Sequence, residues 1–184
     1  LVLNRFFYIL ILLFLALPIY GQSKEYLCRR VLETAKSFKD IKPVYQIIKS
    51  DSKTFKYLPS IAPLRGGRLS STFGYRIHPI TKKKKFHSGV DLAAQYATTV
   101  HATADGTVIF AGNTRGYGKK VVVAHRYGFV TCYAHLTYIY TAIGRGVKKG
   151  QCIGFVGSTG LSTGNHLHYE VIKNKVFINP LNFY

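Results

Sequence analysis

Two histidines stand two apart in His166-Leu167-His168, with Tyr169-Glu170 following, and all seven histidines of the 184-residue chain fall between positions 78 and 168. In an extended strand, residues i and i+2 share a face, so His166 and His168 point one way while Leu167 points into a core. Two imidazoles on one face suit a divalent metal, or a metal and a base. Two surface histidines in a polar alternation are the alternative. A second element is His87-Ser88-Gly89-Val90-Asp91, whose spacing of four keeps imidazole and carboxylate on one side of an extended segment. Zinc accepts nitrogen and oxygen donors in tetrahedral geometry. Asp91 is one of three acids after residue 67, with Asp105 in a turn and Glu170, so its retention among many bases suggests a specific partner, with solvated loop residues as the alternative. In Tyr133-Ala134-His135-Leu136, strand alternation places Thr131, Tyr133 and His135 on one face. It makes His135 a candidate general base or oxyanion helper, with a structural strand histidine as the alternative.

Together these elements supply three ligands and leave a coordination position open. A catalytic zinc uses such a position to acidify water and polarise a carbonyl, whereas a structural zinc closes its shell with a fourth ligand, commonly cysteine. Cys28, Cys132 and Cys152 are too few and too scattered for that. Cys132 and Cys152 lie in apolar runs and read as small core residues, with a disulfide between them as the alternative in an oxidising compartment.

The elements that must hold these residues are short and β-like. Val100–Ala102, Thr107–Ala111, Lys120–His125, Phe129–His135, Cys152–Val156 and His168–Ile172 are rich in β-branched and aromatic residues. Turns are expected at Asp105-Gly106, Gly112-Asn113, Gly116–Gly118, Tyr127-Gly128 and Gly157–Gly164. Residues 68–184 therefore read as one all-β domain, a compact antiparallel sheet or sandwich. Residues 22–67 read as a basic helical stalk or packed prosegment. Leu27, Val31, Ala35 and Phe38 recur there at helical spacing after a candidate N-cap at Ser23, and Lys42-Pro43 breaks the run. Pro59, Pro63 and Gly66-Gly67 mark the entrance to the β domain.

At the start, Arg5 precedes Phe6–Ile19, an uncharged stretch of fourteen residues. A spanning helix needs about 20 apolar residues, so residues 1–21 read as a secretory signal peptide, with an uncleaved membrane anchor as the alternative. Export to the periplasm or cell envelope follows. The 26 basic and 7 acidic residues give a net charge of +19, which calls for an anionic partner. The charge divides as +1, +6 and +12 over residues 1–21, 22–67 and 68–184. No ribonucleoprotein or zinc-finger pattern accompanies it, which counts against specific nucleic-acid binding. The run Lys82–Lys85 before His87 either rims a site or is a solvated loop.

From about Pro63 to Phe183 the chain resembles the lysostaphin/LytM-type zinc metallopeptidases, which cut peptide bonds in bacterial peptidoglycan. The resemblance is carried by Gly67–Arg76 (GRLSSTFGYR), His78-Pro79, His87–Asp91, Ala102–Gly106 (ATADG), Tyr133–Leu136 (YAHL), Val147–Gly150 (VKKG), Gly154–Gly160 (GFVGSTG) and His166–Glu170 (HLHYE), in that order. It implies a fold of the duplicated hybrid motif type with a groove across one sheet, bordered by Gly157–Asn165. It implies one zinc ion held by His87, Asp91 and His168, with His135 and His166 activating water and stabilising the transition state. The implied partners are peptidoglycan stem or cross-link peptides, with membrane contact only through an uncleaved N-terminal anchor. Gln95–Thr99 and Gly144–Gly146 depart from the family's usual loops, which bears on substrate preference. A non-catalytic wall-binding or amidase-activating module on the same fold is the alternative, disfavoured because all five polar positions are present.

Overall fold

The computed structural model describes residues 24–77 and 83–184. The leader, Ser23, His78 and Lys82 lie outside the described residues. The described residues open with four short helices, α1 (Lys24–Thr34), α2 (Phe38–Ile41), α3 (Tyr45–Ser50) and α4 (Ser52–Phe55), with a 3₁₀ turn over Lys42–Val44. The helical run ends at Thr34, earlier than Lys42-Pro43 suggested. It restarts where the Ser37 backbone N–H donates to Asp40 Oδ2 at 2.8 Å, an acidic cap that begins a new helix. Among the described residues, no helix is long and apolar enough to cross a membrane.

Twelve strands follow among the described residues. They are β1 (Arg68–Ser71), β2 (Gly74–Ile77), β3 (Lys84–His87), β4 (Val90–Ala93), β5 (Thr99–His101), β6 (Gly106–Thr114), β7 (Gly118–Ala124), β8 (Phe129–Ile139), β9 (Gly146–Val147), β10 (Cys152–Val156), β11 (His166–Lys173) and β12 (Val176–Ile178). The main sheet runs β1-β4-β11-β8-β7-β6-β9, entirely antiparallel, and β2–β3 form a separate hairpin. The long β8 pairs β11 along its first half and β10 along its last residues, so it ties the two parts of the sheet together. The all-β antiparallel expectation holds. The turn expected at Gly112-Asn113 does not form, because both residues continue the ladder opposite Lys120 and Lys119. The hairpin reverses at Arg115–Tyr117 instead, beside Gly116 and Gly118, whose positive φ angles of 84° and 63° are cheap only for glycine.

Val90, Val121, Val123, Tyr133, Leu136, Ile153, Leu167 and Tyr169 are fully buried and centre the core. The tyrosine hydroxyls at its heart are satisfied: Thr103 Oγ1 joins Tyr133 at 2.9 Å and Tyr169 at 2.8 Å. All three cysteines are free.

The helices add Leu32, Ile41 and Ile48 to the same apolar cluster, and the turn after α4 adds Leu58. Helices this short are marginal alone, so packing holds them. Asn174 Nδ2 donates to the carbonyls of Glu33 and Ala35, the Tyr45 hydroxyl donates to the Phe183 carbonyl at 2.9 Å, and Lys149 Nζ donates to that of Phe55 at 3.0 Å. Lys173 and Asn174 lie where β11 ends, so the helices dock at the end of that strand opposite His166.

Candidate metal centre

β4 and β11 are adjacent and antiparallel, and their register sets His168 directly across from Asp91. Directly opposed residues share a face with Cβ atoms about 5 Å apart, so the two side chains meet by register alone. Leu167 is fully buried, while the imidazoles of His166 and His168 both face the cleft, as alternation requires. His87 arrives differently. It ends β3 of the separate hairpin, and Ser88-Gly89 carries the chain across to β4, so His87 and Asp91 belong to two sheets rather than one extended segment. Gly89 makes that crossing possible, because a Cβ there would overlap the carbonyl of Tyr169 on β11. Gly89→Ala is expected to force β4 from β11, costing about 1–3 kcal/mol in denaturant unfolding and weakening metal binding with it. An unchanged unfolding midpoint would show that the strands move apart freely.

His135 does not share the face of Thr131 and Tyr133. The Thr131 hydroxyl donates to the Tyr133 hydroxyl at 3.0 Å in the buried network. Between Tyr133 and Leu136, however, the register against β7 shifts, and His135 has φ of 62°. This bulge turns the imidazole back toward the cleft, where its ring lies tilted against that of His166 with centroids 4.6 Å apart. A left-handed histidine within a strand is costly, and such strain collects where a side chain must be aimed.

Three donor atoms converge at the centre. His168 Nδ1 lies 2.8 Å and His87 Nε2 3.2 Å from Asp91 Oδ1, and the two nitrogens lie 3.1 Å apart. Each outer ring nitrogen is engaged: His87 Nδ1 with the Thr72 carbonyl at 2.8 Å, and His168 Nε2 with Glu170 Oε1 at 3.1 Å. Those acceptors place the ring protons outward, leaving two lone pairs and a carboxylate oxygen aimed at one point. Such a cluster needs a positive charge among them. Burial alone would lower the His168 imidazole, but its bonds to Asp91 and Glu170 outweigh burial and raise it to about 9. Burial likewise opposes ionisation of Asp91, yet hydrogen bonds from His168 and His87 hold its carboxyl well below the usual range. A divalent ion supplies the same charge with better geometry, and two imidazole nitrogens with one carboxylate form a donor set that fits zinc.

His135 and His166 are oriented by the 157–164 loop. His135 Nδ1 bonds the Thr159 carbonyl at 2.8 Å and His166 Nδ1 the Gly164 carbonyl at 2.8 Å, so both present Nε2 to the cleft. His166 Nε2 lies 3.8 Å from Asp91 Oδ1. Burial pushes His135 down to about 4, which keeps it neutral at physiological pH. The remaining described histidines lie elsewhere: His101 bonds the Gly150 carbonyl, and His125 is buried between the Asp105 carbonyl and Thr131.

Four contributors escaped the sequence reading. Glu170 holds His168, and its Oε1 also accepts from the hydroxyls of Ser88 and Tyr117. Its place two residues beyond His168, on the same strand face, was the available signal. Thr72 and Arg76, whose Nη2 reaches Asp91 Oδ2 at 3.2 Å, lie in the Gly67–Arg76 motif with no role assigned to them there, and Tyr117 carried no signal. Carboxylates that orient a ligating histidine are worth 10–100-fold in metal affinity, roughly, so Glu170→Gln is expected to weaken zinc binding by that factor in a chelator competition. Unaltered affinity would make Glu170 a bystander.

An antiparallel β scaffold that aims two imidazoles and a carboxylate at one point, with two more imidazoles beside them, defines a metallopeptidase domain. The model of peptidase family M23 matches residues 85–180, just over half the chain, and the chain belongs to that family. It is 49% identical over 122 residues to the DD-carboxypeptidase/endopeptidase Mpg of Neisseria meningitidis serogroup B, covering 66% of this chain and 28% of that relative. The chain thus spans under a third of that relative's length. Among solved structures, it resembles a zinc-containing peptidase from Vibrio cholerae with a TM-score of 0.61 and 34% identity, over 65% of this chain and 38% of the other. It resembles the catalytic domain of lysostaphin from Staphylococcus simulans with a TM-score of 0.59 and 30% identity, over 64% and 91% respectively.

Proposed function

We propose that the chain is a zinc-dependent endopeptidase that hydrolyses peptide bonds in peptidoglycan stem or cross-link peptides. One zinc ion per chain would be held by His87 Nε2, Asp91 Oδ1 and His168 Nδ1. The observation that carries this reading is the convergence of three acceptor atoms whose outer partners already fix their orientation. When bound, the ion supplies a Lewis acid that polarises the scissile carbonyl and acidifies water. His166 and His135 present Nε2 as proton acceptors, so the pair can take a proton from the attacking water. Once charged, the same nitrogens donate to the developing oxyanion and then to the leaving amine, returning the proton. Tyr117 and Ser88 keep Glu170 facing His168 while this happens.

Residues 1–21 act in this reading as a signal peptide or membrane anchor that places residues 68–184 in the periplasm or envelope, with residues 22–67 as the helical segment between. The endopeptidase activities named for relatives support the reading, as does the presence of all five polar side chains; the activating alternative has its support in the likeness to a murein hydrolase activator, 34% identical over 118 residues. Purified chain loaded with zinc should release cross-link fragments from isolated walls, identified by mass spectrometry of the muropeptides, and chelator should stop the release. No fragments from zinc-loaded protein would overturn the proposal.

A further inference from the structure

The hairpin that delivers His87 also sets two cations side by side. Arg76 on β2 and Lys85 on β3 are directly opposed partners in the ladder, and both line the cleft over the three donor atoms. Like charges opposed across strands destabilise a hairpin unless an anion lies between them. Arg115, in the β6–β7 turn, adds a third cation to the same cleft, whose volume is about 320 Å³. Among the described lining residues, Asp91 is the only acid, and its charge is already committed. One oxygen faces His87 and His168, and the other faces Arg76. Lys85 and Arg115 have no hydrogen-bonded or ionic partner among the described residues, and Arg76 Nε is buried without one.

We infer that Arg115 and Lys85, with Arg76 beside them, form a cradle that reads a carboxylate, so the cleft selects peptides carrying a free carboxylate beside the scissile bond over uncharged bridges such as oligoglycine. The inference rests on the peptidase reading above and narrows its substrate. The donor types fit: guanidinium presents a planar fork to a carboxylate, and the lysine adds a mobile point charge. Arg76 already faces Asp91, so the two exposed cations leave room for one carboxylate. Salt weakens selection of this kind, because two of the cations are exposed.

The test uses two synthetic cross-linked stem peptides, alike except that the acid flanking the scissile bond is free in one and a carboxamide in the other. A second pair has the scissile nitrogen methylated and cannot be cut. For the zinc-loaded full chain, the carboxylate form should be favoured about tenfold, both in kcat/KM and in the Kd of the uncleavable pair, as expected for one charge-assisted contact. Arg115→Gln and Lys85→Gln should each bring both ratios toward one, acting on KM more than on kcat, with zinc content retained. Arg115→Lys should restore part of the preference. Equal handling of the two peptides by the unaltered chain overturns the cradle, as does a preference that survives in the double variant. Preferential binding without turnover of either cleavable peptide would uphold the cradle and refute the peptidase reading; turnover without preference would do the reverse.

Discussion

Replacing His168 with alanine is expected to abolish zinc binding and to cut hydrolysis of wall peptides by a factor on the order of 10³ or more, since the Lewis acid is worth several kcal/mol of barrier. Among the described imidazoles, His168 alone bonds both Asp91, at 2.8 Å, and Glu170, at 3.1 Å, so its loss removes a donor atom and leaves the half-buried Asp91 and the buried Glu170 without the group between them. Asp91 would still face Arg76, and Glu170 would still accept from Ser88 and Tyr117. Breaking a buried charged network of this kind costs about 3–5 kcal/mol, so a lower unfolding midpoint should accompany the lost metal. Chelator treatment of the unaltered chain separates the two effects, because it removes the ion and keeps the imidazole. Near-normal turnover by His168→Ala, with or without zinc, would sink the mechanism.

His166→Ala and His135→Ala should behave in the opposite way toward the ion. Each is expected to keep zinc content at the unaltered level and to lose about 10²–10⁴-fold in kcat, the range for removing a positioned proton-transfer group. The split follows from the atoms they reach. Their Nδ1 positions are spent on carbonyls of the 157–164 loop, and His166 Nε2 stands 3.8 Å from Asp91 Oδ1, beside the donor set rather than within it. The double variant should lose little more than the worse single one, because two groups serving one proton transfer are not additive. Loss of zinc in either single variant would mean that a ligand has been mistaken for a base.

How far the sequence disclosed this site depended on whether a side chain's direction followed from local periodicity. His166 and His168 lie in unbroken β11, where alternation fixes their face, and Leu167 confirms it from the other side. Asp91 needed one further fact, the pairing of β4 with β11, which no local pattern contains. His135 was named for its residue type but given the wrong face. A one-residue bulge with a left-handed backbone inverts alternation, and nothing in Tyr-Ala-His-Leu announces it. The His87–Asp91 spacing pointed to the right residues through the wrong geometry, because Gly89 marks a passage between sheets instead of a continuous strand. Glycine was equally ambiguous at Gly112, which stays in a ladder, and at Gly116, which turns it. Thr72, Thr159 and Gly164 act through main-chain carbonyls, so their side chains carry no record of the role.

The docking of the helices at the far end of β11 bears on how small a working fragment can be cut. The family match begins at residue 85, within β3, and stops at residue 180. Pruned to those limits, the chain would lose β1 from the edge of β4, and with it Thr72, the partner of His87. It would also lose Leu32, Ile41, Ile48 and Leu58, all fully buried. At about 1.5–3 kcal/mol for each such side chain, that burial rivals the whole net stability of a small domain. Lys173, wholly buried with its amine 5.3 Å over the Phe129 ring and pushed down to about 8 chiefly by burial, would be opened to water once the Glu33 and Ala35 carbonyls left Asn174 beside it. The portable unit is thus larger than the family match: a graft meant to carry the chemistry elsewhere has to bring the helices and Phe183 along.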